Sequence, residues 1–108
     1  MVDKFGWSES EKQIARRAFD AAYASECQSI RARVQEMLKD KRDTSTIWRI
    51  QDYLSKQRKQ IDRKYDYRYS RLINVFAILL NEGWLPESNL SGLGKDKIAR
   101  IKELASYR

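Results

Sequence analysis

Between Ile47 and Leu80 the chain contains no glycine and no proline, and its apolar residues recur at helical spacing. Ile47, Ile50, Leu54, Ile61, Tyr65, Leu72, Phe76 and Leu79 fall on one stripe. That pattern predicts one long helix over residues 46–82, ended by Gly83 in the left-handed conformation. Some 34 helical residues span about 50 Å at 1.5 Å each. A compact chain of 108 residues has a radius of gyration near ~13 Å, too small to bury such a rod. With no proline or glycine inside to kink it, a second chain is expected to cover the overhang, with Ile47, Ile50, Leu54 and Ile61 as the self-pairing seam.

The flanking segments read as helices too. Ser8 with Glu11 three residues on has the form of a reciprocal capping pair, which starts a first helix over residues 8–38. Its apolar positions run Ile14, Ala18, Phe19, Ala22, Tyr23, Cys27, Ile30, Val34 and Met37, and take heptad spacing from Tyr23 onward. Lys39 to Ser45 is a polar turn, with Thr44 or Ser45 as the cap of the next helix. Residues 1–7 are expected to be a flexible N-terminus, and residues 84–108 a small helical head. Within that head Pro86 opens a short helix and Ile98, Ile101, Leu104 and Ala105 face the apolar run Leu72–Leu80. The fold class is all-α: an elongated helical homodimer with a stalk and a head, one domain over residues 1–108.

Composition removes most reaction chemistry. There is no histidine, so the commonest general base and neutral metal ligand are missing. Cys27 is the lone cysteine and lies on the apolar stripe, where it reads as a small buried hydrophobe. Gly92-Leu93-Gly94-Lys95 lacks the spacing of a phosphate loop. No apolar run approaches the ~20 residues of a membrane span, and the N-terminus does not have the form of a signal peptide. The expectation is a cytoplasmic protein that is not an enzyme and holds no metal or cofactor.

What remains is surface. The chain carries a net charge of +7. Residues 56–71 hold seven basic residues against Asp62 and Asp66. A basic band suits nucleic acid, an anionic membrane or an acidic protein. The interrupting aspartates and the absence of a helix-turn-helix pattern count against nucleic acid. Trp48 and Asp52, one turn apart on a face that Ile47, Ile50 and Leu54 do not share, with Gln51 beside them and Arg58 beyond, have the composition of a binding hot spot. Packing of Trp48 across the seam is an equal reading of the same residues.

The block Trp48-x-x-x-Asp52-Tyr53-Leu54-Ser55-x-x-Arg58-x-x-Ile61-Asp62-x-Lys64-Tyr65-Asp66-x-Arg68 resembles the centre of the cyanobacterial fluorescence recovery protein family. The resemblance extends through Trp7-Ser8-x-x-Glu11, Ala18-Phe19, Ala22-Tyr23, Val75-Phe76-Ala77, Glu82-Gly83, Asp96-Lys97, Ile101-Lys102 and Leu104-Ala105. It implies a cofactor-free homodimer that binds the photoactivated orange carotenoid protein, chiefly its C-terminal domain. It further implies that the bound partner returns faster from its red, quenching form to its orange form, restoring phycobilisome fluorescence. Such a protein would meet the thylakoid only through its partner. The same resemblance implies that Trp48, Asp52 and Arg58 form the working patch, that Ile47 sits at the dimer seam, and that Arg100 is a partner contact on the head. Two positions depart from the family's usual pattern: Gln51 where a histidine precedes the aspartate, and Asn74 where the head carries an aromatic residue. The alternatives are a homologue of the same fold with another protein partner, or a basic helical nucleic-acid-binding protein.

Overall fold

The reciprocal cap at Ser8 forms as its sequence dictates. The Ser8 hydroxyl accepts from the Glu11 amide at 3.2 Å, and the Glu11 carboxylate accepts from the Ser8 amide at 3.0 Å. From it runs α1, Glu9–Leu38, the longest helix among the described residues. The structure is a computed structural model that describes residues 6–107, so the first five residues of the expected flexible N-terminus lie outside it. Trp7, the last residue of that stretch, packs against the core.

Three further helices follow: α2, Thr46–Lys64; α3, Leu72–Glu82; and α4, Lys95–Ser106, with a single 3₁₀ turn at Glu87–Leu90 before α4. The fold is therefore all-helical, and α1 with α2 makes a hairpin that projects from a head. The expected cap at the start of α2 takes another form. Ser45 occupies the cap position but makes no side-chain bond to the helix. Instead the Asp43 carboxylate accepts from the Ser45 amide and hydroxyl and fixes the turn before α2.

The single helix expected over residues 46–82 is two helices. α2 ends at Lys64, and residues 65–71 form an irregular segment that closes in a turn at 69–71 before α3 begins. The reason lies in Tyr65, Tyr67 and Tyr69, which alternate with Asp66 and Arg68 at a period of two. Tyr65 and Tyr67 both meet Phe19 of α1 edge-on, with centroids at 5.3 and 4.8 Å. Tyr65 also meets Tyr23, and Tyr69 reaches Trp7. Each such contact contributes about 0.5–1.5 kcal/mol beyond burial. Continued as a helix, the segment would turn Tyr67 about 200° away from Tyr65, so the two could not both meet Phe19.

A buried ion cluster fixes the same joint. The Lys64 ammonium donates to Glu26 of α1 at 2.8 Å and to Glu82 of α3 at 2.6 Å, and the Tyr65 hydroxyl donates to Glu26 at 2.8 Å. The side chains of Lys64 and Glu26 are only 10 and 7% exposed. The last turn of α2 is thereby tied to both neighbours.

In the head, Leu72, Phe76 and Leu79 of α3 and Ile101 of α4 are fully buried together with Leu85 and Leu90. Gly83 ends α3 at φ 87°, as its position in the sequence requires. A second polar tie closes the head. Lys97 of α4 donates to Glu11 and to the Gly6 carbonyl, and Glu11 also accepts from the Gly94 amide at 2.8 Å. These contacts hold the Glu11 carboxyl well below the ordinary range, at about 2; the Ser8 amide contributes most, then Gly94 and Lys97, against an opposing effect of burial.

Candidate functional site: an exposed face on α2

The molecule measures 58 × 27 × 26 Å, with a radius of gyration of 16.9 Å, against about 13 Å for a compact chain of this length. Its accessible surface is 7723 Å², where a compact monomer of this mass exposes about 6,300 Å². Among the described residues no further helix packs on the outer side of the hairpin.

Along α2 successive residues turn by about 100°, which sorts its side chains into three strips. The strip facing α1 holds Ile50 and Ile61, both buried, with Tyr53 and Gln57 half-buried at its edge. Beside it lie Ile47 and Leu54, 57 and 41% exposed. The four residues expected to form one seam thus divide: two are used inside the chain, and two remain uncovered. On α1, Tyr23 and Leu38 are exposed and Ile30, Val34 and Met37 half-buried, so the apolar edge continues across the hairpin. Cys27 is half-buried rather than buried and lines a groove of about 230 Å³ with Tyr23, Ile30, Leu54, Gln57, Arg58 and Ile61.

The third strip carries Trp48 and Asp52. Trp48 is 65% exposed, so within one chain its ring fills no core position. Asp52 and Gln51 are exposed next to it. Arg58 stands at the border of this strip and the apolar edge, held by Asp62 one turn on through two contacts of 3.2 Å. Arg49 is drawn the other way, toward Asp40 and Asp43 in the turn, and braces the end of the hairpin. Arg100 is not part of this assembly. It lies on α4, paired with Glu103 at 3.1 Å. Glu11, near the start of α1, touches Lys97 of α4, whereas Trp48 stands near the far end of α1. One length of α1, about 45 Å, therefore separates Arg100 from Trp48 within a single chain.

Among the described residues no group of three histidine, cysteine, aspartate or glutamate side chains could hold a metal ion. No helix among them is long and apolar enough to cross a membrane. A large exposed aromatic ring beside ordered charges, on a rigid helix with an uncovered apolar edge, has the composition of a binding surface.

Comparison with known proteins gives the particular family. Residues 7–105 match the family described as photoprotection regulator fluorescence recovery protein, and the chain belongs to it. It is 40% identical over 99 residues to the fluorescence recovery protein of Synechocystis sp. PCC 6803, covering 92% of this chain and 91% of that protein. The solved structure of the Fremyella diplosiphon fluorescence recovery protein superposes with a TM-score of 0.86 at 39% identity, covering 94% of this chain and 99% of that one. The Synechocystis structure superposes with a TM-score of 0.86 at 40% identity, covering 93 and 98%.

Proposed function

We propose that this photoprotection regulator binds the photoactivated orange carotenoid protein, chiefly its C-terminal domain, and accelerates its return from the red to the orange form without covalent chemistry. The observation that carries this reading is Trp48, two-thirds exposed on a rigid helix with Asp52, Gln51 and Arg58 around it. An indole in that position loses much unfavourable hydration when a partner covers it. A partner held more tightly in an intermediate than in its red form relaxes faster, since only differential affinity shifts a conformational equilibrium. Arg100 on the head then makes a second, separate contact with the same partner.

The working unit in this reading is a homodimer paired through Ile47, Leu54 and the uncovered edge of α1, with Ile50 and Ile61 supporting them from beneath. The excess surface of about 1,400 Å² over a compact chain is enough to supply the ~800 Å² per partner of a standard interface. A second reading, the same dimer acting on another protein, draws its support from Gln51 and the exposed Asn74, where the family's usual histidine and aromatic residue are absent.

The test is dark recovery of photoactivated orange carotenoid protein, followed by absorbance. Added protein shortens the recovery time in proportion to its concentration until it saturates, and Trp48→Ala or Asp52→Ala removes most of the effect. Unchanged recovery at saturating protein refutes the carotenoid-protein reading and leaves the alternative partner.

A further inference from the structure

α2 carries six basic residues, and the structure divides them into two groups of three. Arg49, Arg58 and Lys64 are each neutralised within the chain, by Asp40 and Asp43, by Asp62, and by Glu26 and Glu82. Lys56, Lys59 and Arg63 are all exposed and take part in no ion pair among the described residues. Their spacing of three and four puts them on one strip of the helix, directly in line with Trp48 and Asp52. That strip faces away from α1 and stands more than a quarter turn from the apolar edge of Ile47 and Leu54. Stacking like charges at these spacings costs an isolated helix about 0.2–0.5 kcal/mol per pair. Among the described residues no carboxylate stands within ion-pair distance of any of the three, although Asp52 lies one turn before Lys56 on the same strip.

We infer that this ridge is a docking rail for an acidic segment of a protein partner, which lies lengthwise along α2 with its carboxylates on Lys56, Lys59 and Arg63. The order of the strip is aromatic, acidic, basic, basic, basic. Asp52 calls for one cation at the Trp48 end of the partner, followed by carboxylates matching the three bases. A protein segment meets that mixed order, whereas a nucleic-acid backbone or an anionic lipid surface presents only negative charge and is repelled at Asp52. Because the ridge is exposed, its pairs weaken with salt, and their main effect is on the rate and register of docking. This adds the chemistry of the partner segment to the face proposed above, and its test needs no carotenoid protein.

The probe is a synthetic helical peptide with one lysine and three glutamates spaced to oppose Asp52, Lys56, Lys59 and Arg63, titrated by fluorescence anisotropy against the full-length protein. A peptide of the same composition in scrambled order, a 20-base-pair DNA duplex and phosphatidylserine vesicles are the comparisons. The matched peptide is expected to bind at low salt roughly tenfold more tightly than the scrambled one, and to lose most of that affinity at 0.5 M salt. The combined variant Lys56→Glu, Lys59→Glu, Arg63→Glu is expected to weaken it at least tenfold. If that variant does not fold, the glutamine triple at the same positions still removes the positive charge and is expected to weaken binding several-fold. Equal binding of matched and scrambled peptides, or of the wild-type and charge-altered proteins, overturns the inference. So does tighter binding of the duplex or the vesicles than of the matched peptide, which assigns the ridge to phosphate instead. An inert carotenoid protein in the recovery assay leaves the peptide result standing, and the converse also holds.

Discussion

Lys64 is the residue on which the joint between hairpin and head depends, and its replacement by methionine gives a worked prediction. The aliphatic stem keeps its packing, but Glu26, 7% exposed, loses its cation and retains only the Tyr65 hydroxyl as a donor. Removing one partner of a buried ion pair costs about 3–5 kcal/mol. The remaining hydrogen bond to a charged acceptor offsets about 1.5 kcal/mol of that, which leaves an expected loss of roughly 2–3 kcal/mol. A protein of this size has about 5–15 kcal/mol in total, and each kcal/mol shifts the midpoint by about 4 °C or more. Thermal melts followed by circular dichroism, at one fixed protein concentration because association adds to stability, should show the midpoint falling by about 8–15 °C. The double variant Glu26→Gln, Lys64→Met leaves no buried charge behind and should recover more than half of the loss. A single variant within about 1 kcal/mol of wild type, or a double variant no better than the single, would mean that water reaches the pair and that the tyrosine row alone holds the joint.

Other outcomes follow from the same reading of the structure. Glu11 is depressed to about 2 in the folded chain, from an ordinary value near ~4.3 in the unfolded one. Its stabilising contribution is therefore present above the unfolded value and is lost progressively as the pH falls from about 5 toward 2. Urea unfolding between pH 5 and 2.5 should show wild type losing more stability than Glu11→Gln, and parallel curves would refute the assignment. Ile47→Glu places a charge on the uncovered edge of the hairpin while leaving the core untouched. Sedimentation is expected to find a dimer for the wild type and a monomer for the variant, and a variant dimer would put the seam on another face.

Several elements were legible in the residues alone because their causes are local. The Ser8–Glu11 cap, the left-handed Gly83 and the helical register of α1 each depend on residues within one or two turns. Trp48, Asp52 and Arg58 could be placed on a face of α2 from spacing alone, and the family was legible from matching residues spread along most of the chain. The break at residues 65–71 also left a trace in the sequence, the alternation Tyr-Asp-Tyr-Arg-Tyr. It was outweighed by an uninterrupted run of helix-compatible residues on either side.

Residue order alone was enough to make this chain helical and to set an aromatic residue among charges off the apolar stripe: there is no glycine or proline from residue 47 to 80, and Trp48 stands beside Asp52. Only the tertiary structure decided where the long rod stops. Phe19 and Glu26 lie some 40 residues before Tyr65 and Lys64, and no local propensity encodes their meeting. It also decided which side chains of the expected seam are free. Ile47, Ile50, Leu54 and Ile61 look alike as a stripe, yet α1 covers Ile50 and Ile61 and leaves Ile47 and Leu54 exposed. Helical spacing fixes the strip a residue belongs to, and only the packed neighbour fixes whether that strip is spent inside the chain or offered to another.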